Sequence, residues 1–232
     1  MEIRIRCNKL LWLLIVIMTA LTLANLISLA LRFHWGYIYA AGFAPLFDVN
    51  GEDNFPSAYS TITLFVCASL LALTGSAKKN RNEKFANHWI VLCVIFIYLA
   101  IDESISIHEH ISYQISEILA DENPLYFAWI LPYSLLLMLF ALHYWKFLAH
   151  LRPLIKKLFI IAGSTYLLGA MGFETLSGLY AMQFGLESFW YAALGSVEEL
   201  LEMIGIIIFI YALCLQLSMD NNKLTITVTA TE

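Results

Sequence analysis

The chain has 232 residues, of which 60% are hydrophobic and only 13% are charged, whereas about a quarter of the residues in an ordinary soluble domain are charged. A water-soluble fold of this length cannot bury so much apolar surface, so the composition indicates an integral membrane protein in contact with a lipid bilayer. The net charge of −5 and the scattered basic residues argue against a nucleic acid partner, because nucleic-acid-binding proteins concentrate Lys and Arg on one face.

Six stretches of the sequence are long and apolar enough to cross a bilayer, which takes about 20 residues for about 30 Å of hydrocarbon. They run approximately over residues 10–31, 58–75, 89–110, 126–145, 158–181 and 197–217. We therefore predict an all-α fold, an integral membrane six-helix bundle. Residues 1–218 form this bundle as a single domain, and residues 219–232 form a short, polar and mobile cytoplasmic tail.

The basic residues predict the orientation of the bundle, because Lys and Arg resist translocation across the membrane. If the N-terminus is cytoplasmic, only Arg32 of the 13 basic residues lies on the external side. Tryptophans agree, since they mark both interfaces: the inner one at Trp12, Trp89 and Trp145, and the outer one at Trp35, Trp129 and Trp190. We predict a multi-pass protein of the cytoplasmic membrane with both termini in the cytoplasm, and an external segment, residues 32–57, along the outer interface.

Ionisable side chains inside a bilayer are energetically costly, so each of them is a candidate functional residue. Here they occur in three spans: DESISIHEH at residues 102–110, Glu174, and EELLE at residues 198–202. The predicted topology places all three sets near the external surface. At 1.5 Å per residue, Glu103, Glu174 and Glu202 each lie on the order of 10 Å below that surface.

Helical spacing groups these residues, because side chains three, four or seven positions apart share a face. Carboxylates gathered in a low dielectric must take up protons or bind a cation, and carboxylate and imidazole are ligands of hard or borderline divalent metals. We therefore predict a divalent metal site, with Glu109 or His108 as the catalytic proton carrier. The candidate ligands are Glu103, His110, Glu174, Glu199 and Glu202.

A structural interpretation of the same residues stays open. Asp102, Glu109 and Glu198 also suit solvated helix ends, and the remaining acids also suit buried groups that set helix packing. The chain lacks the Glu-x-x-His pairs of di-iron bundles and the His-Glu-x-x-His zinc helix.

At DESISIHEH, residues 102–110, and EELLEM, residues 198–203, the sequence resembles a family of small bacterial polytopic membrane proteins with a DExxxxHE motif in the third helix and an EExxE motif in the last. The resemblance extends over nearly the whole chain, including PLFDVNGEDNFPSAYS. It implies a bacterial cytoplasmic membrane and indicates no mechanism. Alkaline ceramidase type hydrolases also place His and acidic residues in a helical bundle, but their paired-histidine pattern is absent here.

Three functions follow from this pattern. The first is a metal-dependent, membrane-embedded enzyme that acts from the external side on a lipid-like substrate. The second is a proton- or cation-coupled transporter, which requires further polar residues deeper in the bundle. The third is a non-enzymatic sensor or assembly component whose buried acids set helix packing. The sequence does not decide between enzyme and non-enzyme, and it does not indicate an oligomeric state.

Overall fold

The computed structural model describes residues 7–49, 51, 54–118 and 128–220. Within these ranges the protein is all-α without a β-strand, and six helices are long and apolar enough to cross a membrane. This confirms the predicted fold class and the multi-pass membrane architecture. The spans are α1 (Cys7–Phe33), α3 (Phe55–Asn80), α4 (Ala86–Ile105), α6 (Ile130–His150), a fifth span (Pro153–Phe184) and α9 (Phe189–Met219).

Short helices join the spans at one end of the bundle. They are a 3-10 turn (Ala40–Gly42), α2 (Phe43–Phe47) and α5 (Ile107–Ile118). Several residues of the sequence predictions lie outside the described ranges: Arg4, Arg6, the first two residues of the predicted fourth span, and residues 221–232 of the predicted tail.

Two spans begin earlier than hydropathy predicts, because side-chain caps start them. The side chain of Asn54 accepts a hydrogen bond from the backbone N–H of Ser57, and Ser57 bonds back to Asn54, so that α3 begins at Phe55. Ser188 accepts from the N–H of Tyr191 and starts α9 eight residues before the predicted position 197. Such caps satisfy N–H groups that have no partner within the helix.

The core lies along α9, which packs against α1, α3 and the fifth span. Leu71, Ile210 and Leu213 are fully buried there. Trp89 is also buried, with its ring edge-on to Phe147, so its indole packs inside the bundle rather than facing lipid.

The fifth span is interrupted in its middle. It consists of α7 (Pro153–Leu167), one π-helical segment (Leu168–Phe173) and α8 (Glu174–Phe184). A Cβ atom at Gly169 would lie 2.6 Å from the carbonyl oxygen of Glu198, and one at Gly205 would lie 2.8 Å from the backbone nitrogen of Tyr166. The two glycines therefore let the fifth span and α9 approach backbone to backbone.

The two ends of the bundle differ in charge. The basic end comprises residues 78–85, 150–153 and 219–220, where Lys78 pairs with Asp220 at 3.0 Å. The acidic end comprises residues 25–49, 51, 54–57, 98–118, 128–133, 166–177 and 187–202, where Arg32 forms ion pairs with Asp48 and Glu187. The names basic end and acidic end refer to the charges in the structure and imply no orientation in the membrane. That the basic end faces the cytoplasm stays a prediction.

Candidate functional site

The third span ends at a backbone break. α4 stops at Ile105, and Ser106 adopts a left-handed conformation with φ of 55°. Its N–H donates to the carbonyl of Asp102 at 2.7 Å, and α5 starts at Ile107 in a new direction. The predicted continuous span over residues 89–110 is therefore wrong in its last five residues, since a non-glycine residue in this conformation terminates the helix.

The break brings Asp102 and His108 together. One carboxylate oxygen of Asp102 accepts the backbone N–H of His108 at 2.9 Å, and the other lies 3.1 Å from Nδ1 of the same residue. Residues six positions apart on a continuous α-helix lie about 120° apart around it and about 9 Å apart along its axis, so this pair exists only because the chain turns at Ser106. Asp102 thus caps α5 and holds the imidazole with the same carboxylate.

The pair determines the charge of His108, which lies outside the membrane spans. Burial lowers the pKa of His108, but the hydrogen bond and the charge of Asp102, with further contributions from Glu174 and Glu109, raise it from 6.5 to about 9. His108 is therefore an imidazolium at neutral pH, with both ring nitrogens as donors. It is suited to give a proton, or to stabilise negative charge, rather than to accept a proton.

Glu174 approaches this pair from the fifth span. It is the first residue after the π-helical segment, where one wide turn changes the direction in which the following side chains point. Its carboxylate accepts a 2.6 Å hydrogen bond from the indole Nε1 of Trp129. The Trp129 ring lies edge-on to the His108 ring, with centroids 5.3 Å apart. The indole therefore connects the imidazolium to the carboxylate of another span.

α9 supplies a further buried carboxylate. Glu202 is only 9% exposed, and the carboxylates within electrostatic range of it are those of Glu199, Glu103, Glu198 and Glu174. These acids come from α4, the fifth span and α9. The structure therefore brings Glu103, Glu174 and Glu202 into one group, which we call the carboxylate cluster, together with Glu198 and Glu199.

The other two candidates lie on α5. His110 is exposed, and its Nδ1 lies 3.0 Å from the carbonyl oxygen of Ser106. Glu109 is exposed on α5, next to His108. Within the described ranges, no three His, Cys, Asp or Glu side chains are already grouped as the ligands of a metal ion.

Sequence reasoning missed three participants. Trp129 was expected at the membrane interface but is buried against Glu174. Tyr166 lies within electrostatic range of Glu202, Glu103 and Asp102. The hydroxyl of Ser106 is buried and has no hydrogen-bond partner in the described part of the chain. An aromatic residue carries no spacing signal comparable to that of paired acids, so nothing in the sequence pointed to the first two.

Comparison with known proteins gives a family but no characterised relative. No curated protein and no solved structure matches the chain. One family, described as a domain of unknown function (DUF8692), matches residues 10–217, which include all six spans in large part and every residue of the carboxylate cluster. The chain belongs to the DUF8692 family.

Proposed function

We propose that the chain is a membrane-embedded enzyme whose active site lies at the acidic end and which acts on a lipid-like substrate. The observation that carries the proposal is the Asp102–His108 pair, which faces Glu174 of another span at the edge of the carboxylate cluster. A positioned proton donor beside a group of carboxylates is an arrangement that acid–base catalysis uses.

In this proposal His108 is the proton donor. Asp102 fixes the ring orientation and keeps the imidazole charged, since it bonds to Nδ1 and leaves Nε2 for the substrate. Glu109, exposed beside it, would exchange protons with water. The buried hydroxyl of Ser106, which bonds to no described group, would donate to a bound substrate or water.

The carboxylate cluster would hold a divalent metal ion. Its candidate ligands are Glu202 and the carboxylates of Glu103, Glu174 and Glu199, which lie within electrostatic range of Glu202. Carboxylates that lie close together in a buried site must take up protons or bind a cation, because their negative charges repel one another. A bound ion would supply Lewis acidity or an activated water. His110 would be the one candidate ligand from α5.

Access from the bilayer supports a lipid-like substrate. α6 has only two buried residues, Tyr144 and Phe147, and both lie in its half near the basic end. Near the acidic end, α6 contacts α4 through a hydrogen bond between the hydroxyls of Tyr98 and Tyr133. The peripheral position of α6 beside the site would allow an amphiphile to reach His108 laterally.

The buried face of α9 favours an enzyme over a transporter. Between Glu202 and Gln216 this face is apolar over about 14 residues, or roughly 20 Å of helix. It consists of Met203, Gly205, Ile206, Ile207, Phe209, Ile210, Ala212, Leu213 and Cys214. A proton or cation pathway would need polar groups at this depth, whereas chemistry confined to the acidic end does not.

The test combines turnover with metal content. The purified protein is reconstituted in vesicles of a bacterial polar lipid extract with Mg²⁺, Mn²⁺ or Zn²⁺, and lipid species are followed by mass spectrometry. We expect the wild type and the exposed control Glu117→Gln to consume a lipid species, and His108→Gln to lose at least 100-fold in rate, because general acid catalysis contributes about 10² to 10⁴. Elemental analysis should find a divalent metal in the wild type that Glu174→Ala loses.

Two results would contradict the proposal. If no lipid species changes with the wild type in any metal, the enzyme assignment fails. If Glu202→Gln and Glu174→Gln only lower the unfolding temperature, and the wild type binds no metal, the buried acids serve helix packing instead.

A further inference from the structure

A cavity lies at the basic end, at the opposite end of the bundle from the carboxylate cluster. Its volume is about 360 Å³, within the range of small-molecule sites. The ends of α3, α4, α6 and α9 surround it, together with the connection between α6 and α7. Phe85, Trp89 and Phe147 form its aromatic side, with the Phe85 and Phe147 ring centroids 6.1 Å apart.

The lining of this cavity carries excess positive charge. Four permanent cations, Lys78, Arg81, Lys84 and Arg152, face two carboxylates. Those carboxylates, Glu83 and Asp220, are held by Lys78 at 2.8 and 3.0 Å. Lys78 is buried and held in place by both ion pairs, so it stabilises the wall of the cavity. The net positive charge therefore falls on the more exposed cations around it.

The cations near the opening of the cavity are positioned to bind an anion. Arg152 is about half exposed and lies 3.7 Å from Asp220, a long separation for an ion pair. The ammonium of Lys84 lies over the ring of Phe85, 5.1 Å from its centroid, and the residue is exposed. Both side chains can turn toward a ligand without breaking the shorter pairs of Lys78. The aromatic side of the cavity would cover the apolar part of such a ligand.

We propose that this cavity binds a phosphate-bearing anion. Guanidinium and ammonium groups are the usual protein partners of phosphate, and basic pockets between membrane helices bind the head groups of anionic lipids. The phosphate can belong to the head group of an anionic phospholipid in the adjoining leaflet or to a soluble phosphate compound. The site is separated from the carboxylate cluster by the apolar core and is independent of the proposed enzyme activity.

The experiment has one arm for each source. In the lipid arm, the protein is released from nanodiscs of equal phosphatidylglycerol and phosphatidylcholine, and retained lipids are counted by native mass spectrometry. In the soluble arm, binding of inorganic phosphate is titrated by calorimetry. The variants are Lys84→Gln and the double variant Lys84→Gln with Arg152→Gln. The matched control is Lys157→Gln, an exposed lysine of α7 that does not line the cavity.

We expect at least one probe to bind, about tenfold more weakly to the double variant and within twofold of wild type to the control. Retention of phosphatidylglycerol alone would assign the site to a lipid head group, and binding of phosphate alone to a soluble ligand. Because Lys84 is exposed, Lys84→Gln keeps the test valid if the double variant does not fold. Binding of neither probe, or an equal loss with Lys157→Gln, would overturn the proposal.

Discussion

Replacing Asp102 with Asn tests the pair on which the candidate site depends. Asn keeps an oxygen that can cap the N–H of His108 but removes the negative charge beside Nδ1, 3.1 Å away. Without that charge, burial is the largest remaining influence and it lowers the pKa of His108. We expect the pKa of His108 to fall well below its wild-type value of about 9, so that a smaller fraction of the imidazole is charged at neutral pH.

The size of the effect follows from linkage. A rise from 6.5 to about 9 corresponds to about 3 kcal/mol of preference for the imidazolium in the folded protein, at about 1.4 kcal/mol per pH unit. A raised pKa stabilises the fold fully below the unfolded-state value of 6.5, and this stabilisation is lost as the pH rises through 9. The unfolding temperature of the wild type should therefore fall between pH 7 and pH 10, and that of Asp102→Asn should fall less.

The direct measurement is a pH titration of ring nitrogen signals in protein labelled with ¹⁵N only at histidine. The chain has six histidines, and the spectrum of His108→Gln assigns the signal of interest. Glu117→Gln, an exposed change on the same helix, should leave the pKa of His108 unaltered. If Asp102→Asn titrates within half a pH unit of the wild type, the carboxylate does not control the imidazole and the reasoning is refuted.

Three further predictions concern packing and can be checked by thermal unfolding. Gly169→Ala should destabilise the protein by about 1 to 3 kcal/mol, because its Cβ would lie 2.6 Å from a backbone oxygen of α9. The control Gly163→Ala, whose Cβ would have nothing within 4 Å, should be neutral or slightly stabilising. Equal effects of the two substitutions would contradict the close approach of the fifth span and α9. Trp129→Phe removes the 2.6 Å hydrogen bond to Glu174 and should cost about 1 to 3 kcal/mol. Asp220→Asn removes the carboxylate that joins α9 to two cations, and an unchanged unfolding temperature would show that this junction contributes nothing.

The fold class was predictable because it depends on local properties of the chain. A run of apolar residues long enough to cross a bilayer is visible without any tertiary contact, and all six predicted runs correspond to helices in the structure. Helix ends were less predictable. The cap by Asn54 and the break at Ser106 depend on single residues whose effect hydropathy does not register.

The candidate site was predicted in its acids but not in its geometry. Helical periodicity and topology predicted that Glu103, Glu174 and Glu202 lie together, and in the structure Glu103 and Glu174 lie within electrostatic range of Glu202. Their role as metal ligands stays a prediction. The same periodicity, continued past Ser106, placed His110 among these acids. In the structure it is His108 that faces them.

By itself, the sequence determined that this protein is a multi-pass helical membrane protein with buried acids near one end, because hydrophobicity and the cost of charge in lipid act residue by residue. Only the tertiary structure decided which side chains meet. The Asp102–His108 contact requires a left-handed backbone at one serine, and the Trp129–Glu174 bond joins residues 45 positions apart. Both depend on how the helices end and pack, and that is a property of the whole bundle rather than of any single span.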